Sequence, residues 1–220
     1  ATMDRFAEPV RRAFLLLAAL APLGGCALAD VGSGPAPSLY VLTAPAVEPA
    51  PGAPQSQVQL VVEEFSAPAA VDTTRIVFMQ SENQIAYYAG ARWSDRSPRM
   101  IASLLVETLA GTGSFPAVIG PGTSARMDQA LVGDIRSFSA YRPSDAGIGE
   151  GGTKVRVELF VRLLRARDRT ILASRTFSAE ASSAGGMEGV VAAYDQALDV
   201  VLTDIAAWTL EQSLAAGEGS

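Results

Sequence analysis

The chain has no histidine and a single cysteine, Cys26, among its 220 residues. Without imidazole it lacks the side chain that most often serves as general base or metal ligand near neutral pH. With one thiol it cannot close a disulfide within itself. Basic residues are also few: 17 Lys and Arg against 23 Asp and Glu give a formal net charge of −6. They are scattered, so no basic footprint of the kind that binds nucleic acid is present. The N-terminal apolar run spans about a dozen residues, short of the ~20 that cross a bilayer as a helix.

That run, "RRAFLLLAALAPLGGC", is the most informative stretch of the sequence. Arg5, Arg11 and Arg12 open it, Ala13 to Ala21 are apolar, and Pro22, Leu23, Gly24 and Gly25 close it. A charged start, a short apolar middle and a small-residue end are the layout of a secretory signal. The ending "LGGC", Leu23 to Cys26, resembles a lipobox, in which small residues precede a cysteine whose thiolate takes up a diacylglyceryl group. Cleavage after Gly25 would leave Cys26 as a lipid-bearing N-terminus. Several acyl chains on one residue anchor a protein stably, where a single chain is marginal. "RRAFLL" also has some likeness to a twin-arginine export motif, which bears on the export route and not on the destination.

The expected organisation is a signal peptide over 1–25, a tether over 26–57, a globular domain over 58–214 and a flexible tail over 215–220. The tether is rich in Pro, Ala, Gly and Ser, a composition that stays extended. Within it "LYVL", 39–42, reads as a short edge strand. At ~3.1 Å per residue, some thirty extended tether residues would reach on the order of 90 Å.

In the domain, "QVQLVVEEF" alternates as a half-buried strand does, and Ile76–Met79 and Ile85–Tyr88 form a hairpin around Ser81, Glu82 and Asn83. A helix follows in "SPRMIASLLVETLAG", with Ser97 as N-cap, Pro98 early in the first turn and Met100, Ile101, Leu104, Leu105 and Leu109 as its apolar stripe. "ALVGDIRSFSAY" reads as a strand. "TKVRVELFVRLLRAR" is the clearest strand, with Val155, Val157, Leu159, Val161 and Leu163 on one face and Lys154, Arg156, Glu158 and Arg162 on the other. "ILASRTFSAEA" is its partner, and a long amphipathic helix from Met187 to about Leu214 ends the chain. Asp195, Asp199, Asp204 and Glu211 on that helix argue against a membrane span. The fold class expected is α+β: an antiparallel sheet, wet on one face, with two helices packed on the other.

Motifs for chemistry fail on context. "GIGEGG", Gly147–Gly152, satisfies G-x-G-x-x-G, but it precedes a strand instead of opening a helix and reads as a hairpin loop. "GPGTSAR" has neither the lysine of a phosphate-binding loop nor the G-x-S-x-G of a hydrolase. Glu63 and Glu64 fall on opposite faces of a strand, wrong for shared acid and base work. No catalytic residue, metal ligand or cofactor site is expected. "YYAGARWSDR" places Tyr87, Tyr88, Arg92 and Trp93 close together in sequence, and aromatics with arginine are what partner hot spots are made of. They are candidate partner-binding residues, against the plainer reading that Trp93 and Tyr87 serve the core.

Taken in order, the lipobox, "YVLTAP", "RIVFMQSENQIAYYAGARWSD", a helix, "DIRSFS", the long strand, "RTFSAEA" and "VAAYDQALDVVLTDIAAW" resemble the ABC-type transport auxiliary lipoproteins, the PqiC-like group. The run Arg75–Trp93 carries the most specific likeness, while the "RPSDAGIGEGG" insertion and the long tether depart from the pattern. The resemblance implies a non-enzymatic lipoprotein facing the periplasm, on the outer membrane. Its implied partners are an ABC permease and ATPase and MCE-domain proteins that move lipids or other apolar compounds across the envelope. Ala27, in place of an acid after the cysteine, suits outer-membrane sorting. The alternative is an envelope lipoprotein that binds cell wall or acts as a hydrolase, and self-assembly into a homo-oligomer is left open.

Overall fold

The computed structural model describes residues 36–49, 51–123, 125–143 and 152–218. The signal segment with Leu23, Gly24, Gly25 and Cys26, and most of the Gly147–Gly152 loop, lie outside the described residues. The chain divides after Ala36, and the unit that begins at Pro37 carries every element below.

The strands are β1 (Ser38–Tyr40), β2 (Gln59–Val62), β3 (Arg75–Ser81), β4 (Gln84–Trp93), β5 (Ala117–Ile119), β6 (Gln129–Tyr141), β7 (Lys154–Arg165) and β8 (Ile171–Ser182). The helices are α1 (Ser97–Gly111), between β4 and β5, and α2 (Gly186–Glu218), which runs four residues into the stretch expected as a tail. Alternation decides the faces: Val155, Val157, Leu159, Val161 and Leu163 of β7 are buried, while Arg156 between them is exposed and Lys154, Glu158 and Arg162 are only half-buried. Met100, Ile101, Leu104, Leu105 and Leu109 of α1 join Val190, Tyr194, Leu198, Val201, Ile205 and Trp208 of α2 in the same hydrophobic core.

Two expectations need correction. The sheet is mixed, not antiparallel: β1–β4, β2–β5, β2–β6 and β3–β6 pair in parallel, whereas the longer β3–β4, β6–β7 and β7–β8 ladders are antiparallel. Side-chain alternation reports which face is buried and is silent on strand direction. Nor is Ser97 the N-cap. The capping position is Arg96, in extended backbone, and Ser97 lies inside the first turn. Both its amide and its hydroxyl donate to the Thr73 carbonyl, at 3.3 Å each, so the serine ties the helix start to the loop before β3.

The strand β6 organises the molecule. β7 follows one of its edges from end to end. The other edge is shared: β2 holds Gln129–Leu131 and β3 holds Ala140 and Tyr141. Between them the chain leaving β2 stays on β6 as far as Ser66, whose carbonyl accepts from the Ile135 amide at 2.8 Å, and it rejoins at Phe78. The sheet is therefore forked, and β6 carries a bulge between Ile135 and Ser137 where the fork opens.

The described part of the stretch expected as a tether with a short strand at 39–42 is docked beyond that strand as well. β1 pairs with β4, Leu42 is only 2% exposed, and the Thr43 amide donates to Asp195 Oδ1 of α2 at 2.9 Å. Farther on, a Cβ placed on Gly111 would meet the Val47 carbonyl at 3.3 Å, and the Ser56 amide donates to the Ser114 carbonyl at 2.9 Å. Residues 38–57 thus act as a strap across both helices.

Candidate partner-docking face

On the core side, three aromatics plug the fork. Trp93 meets Tyr194 edge-on at 5.0 Å between ring centroids and Phe138 at 5.9 Å, and Phe138 lies 4.7 Å from Tyr194. The Tyr194 hydroxyl donates to the Val77 carbonyl at 3.3 Å, occupying a β3 acceptor in the gap. Burial holds its phenol well above the ordinary tyrosine range.

On the outer side the fork is a groove of about 1220 Å³. Pro68, Val71, Val77, Met79 and Ile85 form its apolar wall, and Arg136, Arg142 and Arg156 stand on the β6–β7 side. Arg156 is committed to Glu180, with Nε 2.6 Å from Oε1. Desolvation would raise the Glu180 carboxyl, yet hydrogen bonds from Arg156 and Tyr141 outweigh it and hold the acid below its usual range. Among the described residues Arg136 bonds the Thr176 hydroxyl, at 3.3 Å, and lies 4.5 Å from the centre of the Phe160 ring, with the Arg162 guanidinium 5.1 Å from the same ring. Arg162 in turn pairs with Asp134 at 2.5 Å. The wet face of the sheet is thus a lattice of arginines, acids and rings.

The four sequence candidates do not meet on one surface. Trp93 is 1% exposed and belongs to the aromatic plug, with its indole N–H unpartnered. Tyr88 is half-buried and stacks edge-on against Phe78 at 5.6 Å, and burial raises its phenol above the usual range. Tyr87 is half-buried beside the groove, its hydroxyl donating to the Ala70 carbonyl at 3.3 Å, with the Arg75 guanidinium 3.5 Å from its ring centre. Arg92 is exposed, directly across from Arg75. Gly90, at φ 68°, shifts the register of β4 between Tyr87 and Arg92, so sequence spacing does not translate into a shared face. Glu63 and Glu64 diverge likewise, Glu63 to Arg169 and Glu64 to Arg96. The groove residues escaped the sequence reading, although "NQIAYY" carried the signal in Ile85, an apolar residue beside a turn.

Among the described residues no group of three or more His, Cys, Asp or Glu is placed to hold a metal, and no helix is long and apolar enough to cross a membrane.

A family model for the ABC-type transport auxiliary lipoprotein component matches residues 40–206, most of the chain. The chain belongs to that family. The match starts at the last residue of β1 and ends within α2, so this auxiliary lipoprotein's strands β2 to β8, α1 and most of the strap and of α2 fall inside the family's extent. Protein XCC0632 of Xanthomonas campestris, assigned to family DUF330, is 29% identical, with 82% of this chain and 99% of that one covered and a TM-score of 0.73. A second solved structure, of an uncharacterized protein, shares the fold at a TM-score of 0.60 and 16% identity, covering 79% of this chain and 99% of its own. Among curated proteins nothing matches. As a member of the family the chain is an auxiliary, cell-envelope lipoprotein component of an ABC-type transport system, a role that implies no enzymatic chemistry.

Proposed function

We propose that this protein is a lipid-anchored docking subunit on the periplasmic side of the outer membrane. Cys26 bears the lipid, and the forked domain engages an ABC permease and ATPase with MCE-type proteins that carry lipids or other apolar compounds across the envelope. The family match over residues 40–206 carries this reading. The "LGGC" ending of the apolar run supports the anchor. Docking is assigned to the groove with Tyr87 at its shoulder. An apolar wall facing arginines suits a partner segment that mixes aliphatic and acidic side chains, because buried apolar area supplies affinity and charge supplies register. Trp93 acts indirectly, by holding the fork in shape.

Crosslinking the native lipoprotein in membranes and identifying its partners by mass spectrometry tests the reading. Transporter components, crosslinked through the groove, are expected. Recovery of none would overturn it.

A further inference from the structure

Leu39, in the first strand of the domain, and Val41, just past its end, are 66% and 63% exposed. Tyr40 and Leu42 alternate with them and turn inward, Leu42 into the core. In the register of β1 on β4 and β4 on β3, Leu39 lies across from Arg92 and Arg92 across from Arg75. Paired residues share a face of a sheet, so the Leu39 side chain and two guanidinium groups form one row, with the exposed Val41 two residues on from Leu39, just past the end of β1. Two like charges directly opposite each other are unfavourable unless something neutralises them. Among the described residues neither arginine has an ion-pair partner, and Arg75 rests only on the Tyr87 ring. The row thus presents apolar groups beside unneutralised positive charge, the combination that suits an anionic lipid surface.

Chain length points to the same occupant. This inference rests on the proposal that Cys26 is lipidated. From Cys26 to Pro37 the chain has twelve residues. At ~3.3–3.6 Å each they span at most about 40 Å. Because the strap fixes Ser38 onward to the body, the β1 edge is where the anchored segment joins the domain, within that span of the lipid.

We infer that Leu39, Val41, Arg75 and Arg92 form a membrane-contact patch that seats the β1 edge of the domain on an anionic phospholipid surface. The test uses the full lipidated chain on vesicles of phosphatidylethanolamine and phosphatidylglycerol doped with nitroxide-labelled lipid. Cys26 is the only native cysteine and is consumed by the lipid, so Leu39→Cys, Val41→Cys and, as control, Ile171→Cys each offer one thiol for an environment-sensitive fluorophore. Ile171 is also exposed but lies on β8, at the opposite end of the sheet. Labels at 39 and 41 should be quenched at least threefold more than the label at 171, and Arg75→Glu with Arg92→Glu, or omission of phosphatidylglycerol, should abolish the difference. Equal quenching at all three positions on protein that co-floats with vesicles overturns the patch while leaving the anchor intact. Labels shielded at 39 and 41 without lipid quenching would show a protein partner there and equally overturn it. Protein that does not co-float refutes the anchor itself, and the patch falls with it.

Discussion

Replacing the adjacent residues Trp93 and Arg92 singly by alanine should give opposite results, and the contrast tests whether the β4 segment is interface or core. Trp93 is essentially buried and touches two other buried rings. Truncating a buried tryptophan costs ~3–5 kcal/mol, including the cavity left behind. The unpartnered indole N–H works in the other direction, because an unsatisfied buried donor carries a penalty of about 1–3 kcal/mol that alanine removes. The net loss expected for Trp93→Ala is therefore about 3 kcal/mol, near the lower end, and Trp93→Phe, which keeps a ring and deletes the orphan donor, should lose markedly less. Arg92→Ala should stay within about 0.5 kcal/mol of wild type. At an m-value of ~2 kcal/mol/M in urea, 3 kcal/mol moves the midpoint by about 1.5 M. Far-UV circular dichroism is the suitable probe, because Trp93 is one of only two tryptophans and its removal alters the fluorescence signal. A Trp93→Ala midpoint within 0.5 M of wild type, on the order of 1 kcal/mol, would refute the plug. A combined Arg92 and Trp93 variant is accordingly a poor probe of binding, since lost pull-down would follow from lost structure.

Three more outcomes follow from the geometry. Gly133→Ala should lower stability by about 1–3 kcal/mol, because its Cβ would sit 2.5 Å from the buried Phe65 ring, and thermal denaturation followed by circular dichroism measures the drop. Asp199 has a carboxyl raised first by desolvation and then by Asp195, so its folded form is penalised at neutral pH and relieved as pH falls through the raised value. Asp199→Asn should hence gain over wild type at pH 7, with the gain vanishing once pH drops below the ordinary aspartate range; a urea-midpoint series across pH shows whether it does. Removing the acceptor for the Thr43 amide in Asp195→Ala should speed limited proteolysis between β1 and β2 while changing global stability by only about 1 kcal/mol; unchanged cleavage would mean that the Thr43–Asp195 bond does not hold the strap.

Faces and element types were legible in the sequence because burial enforces periodicity. Alternate β7 residues and the stripe on α1 are buried where the pattern put them. The parallel pairings were not legible. They involve two or three residues each and depend on which strands distant in sequence come to lie side by side, which no local pattern encodes. That the four candidate residues do not share one surface was illegible for a related reason. Tyr87, Tyr88, Arg92 and Trp93 are neighbours in sequence, but alternation and the Gly90 bulge send them to different surroundings. The groove, in turn, is made by what the chain does between Ser66 and Phe78, a detour with no signature beyond "APAAVDTT".

The strap changes how far such a subunit could act. Composition alone makes residues 26–57 a tether with a reach on the order of 90 Å, but proline-rich chain also docks well where its few apolar residues find a core. Leu42 does so, and Val47 lies against Gly111. Between the proposed lipid and β1 lie twelve residues, which at ~3.3–3.6 Å each can span at most about 40 Å. The 13 residues of β6 add a rigid length of roughly 43 Å at ~3.3 Å per residue. With Cys26 lipidated as proposed, a span of at most ~40 Å and as much again of sheet would limit the groove's reach to about 80 Å from the anchoring membrane. A long flexible tether would let the domain search the envelope for its partner. A short one with the β1 edge seated as inferred would instead hold the groove at a nearly fixed height, which would lower the orientational cost of docking for a partner that spans the gap between membranes.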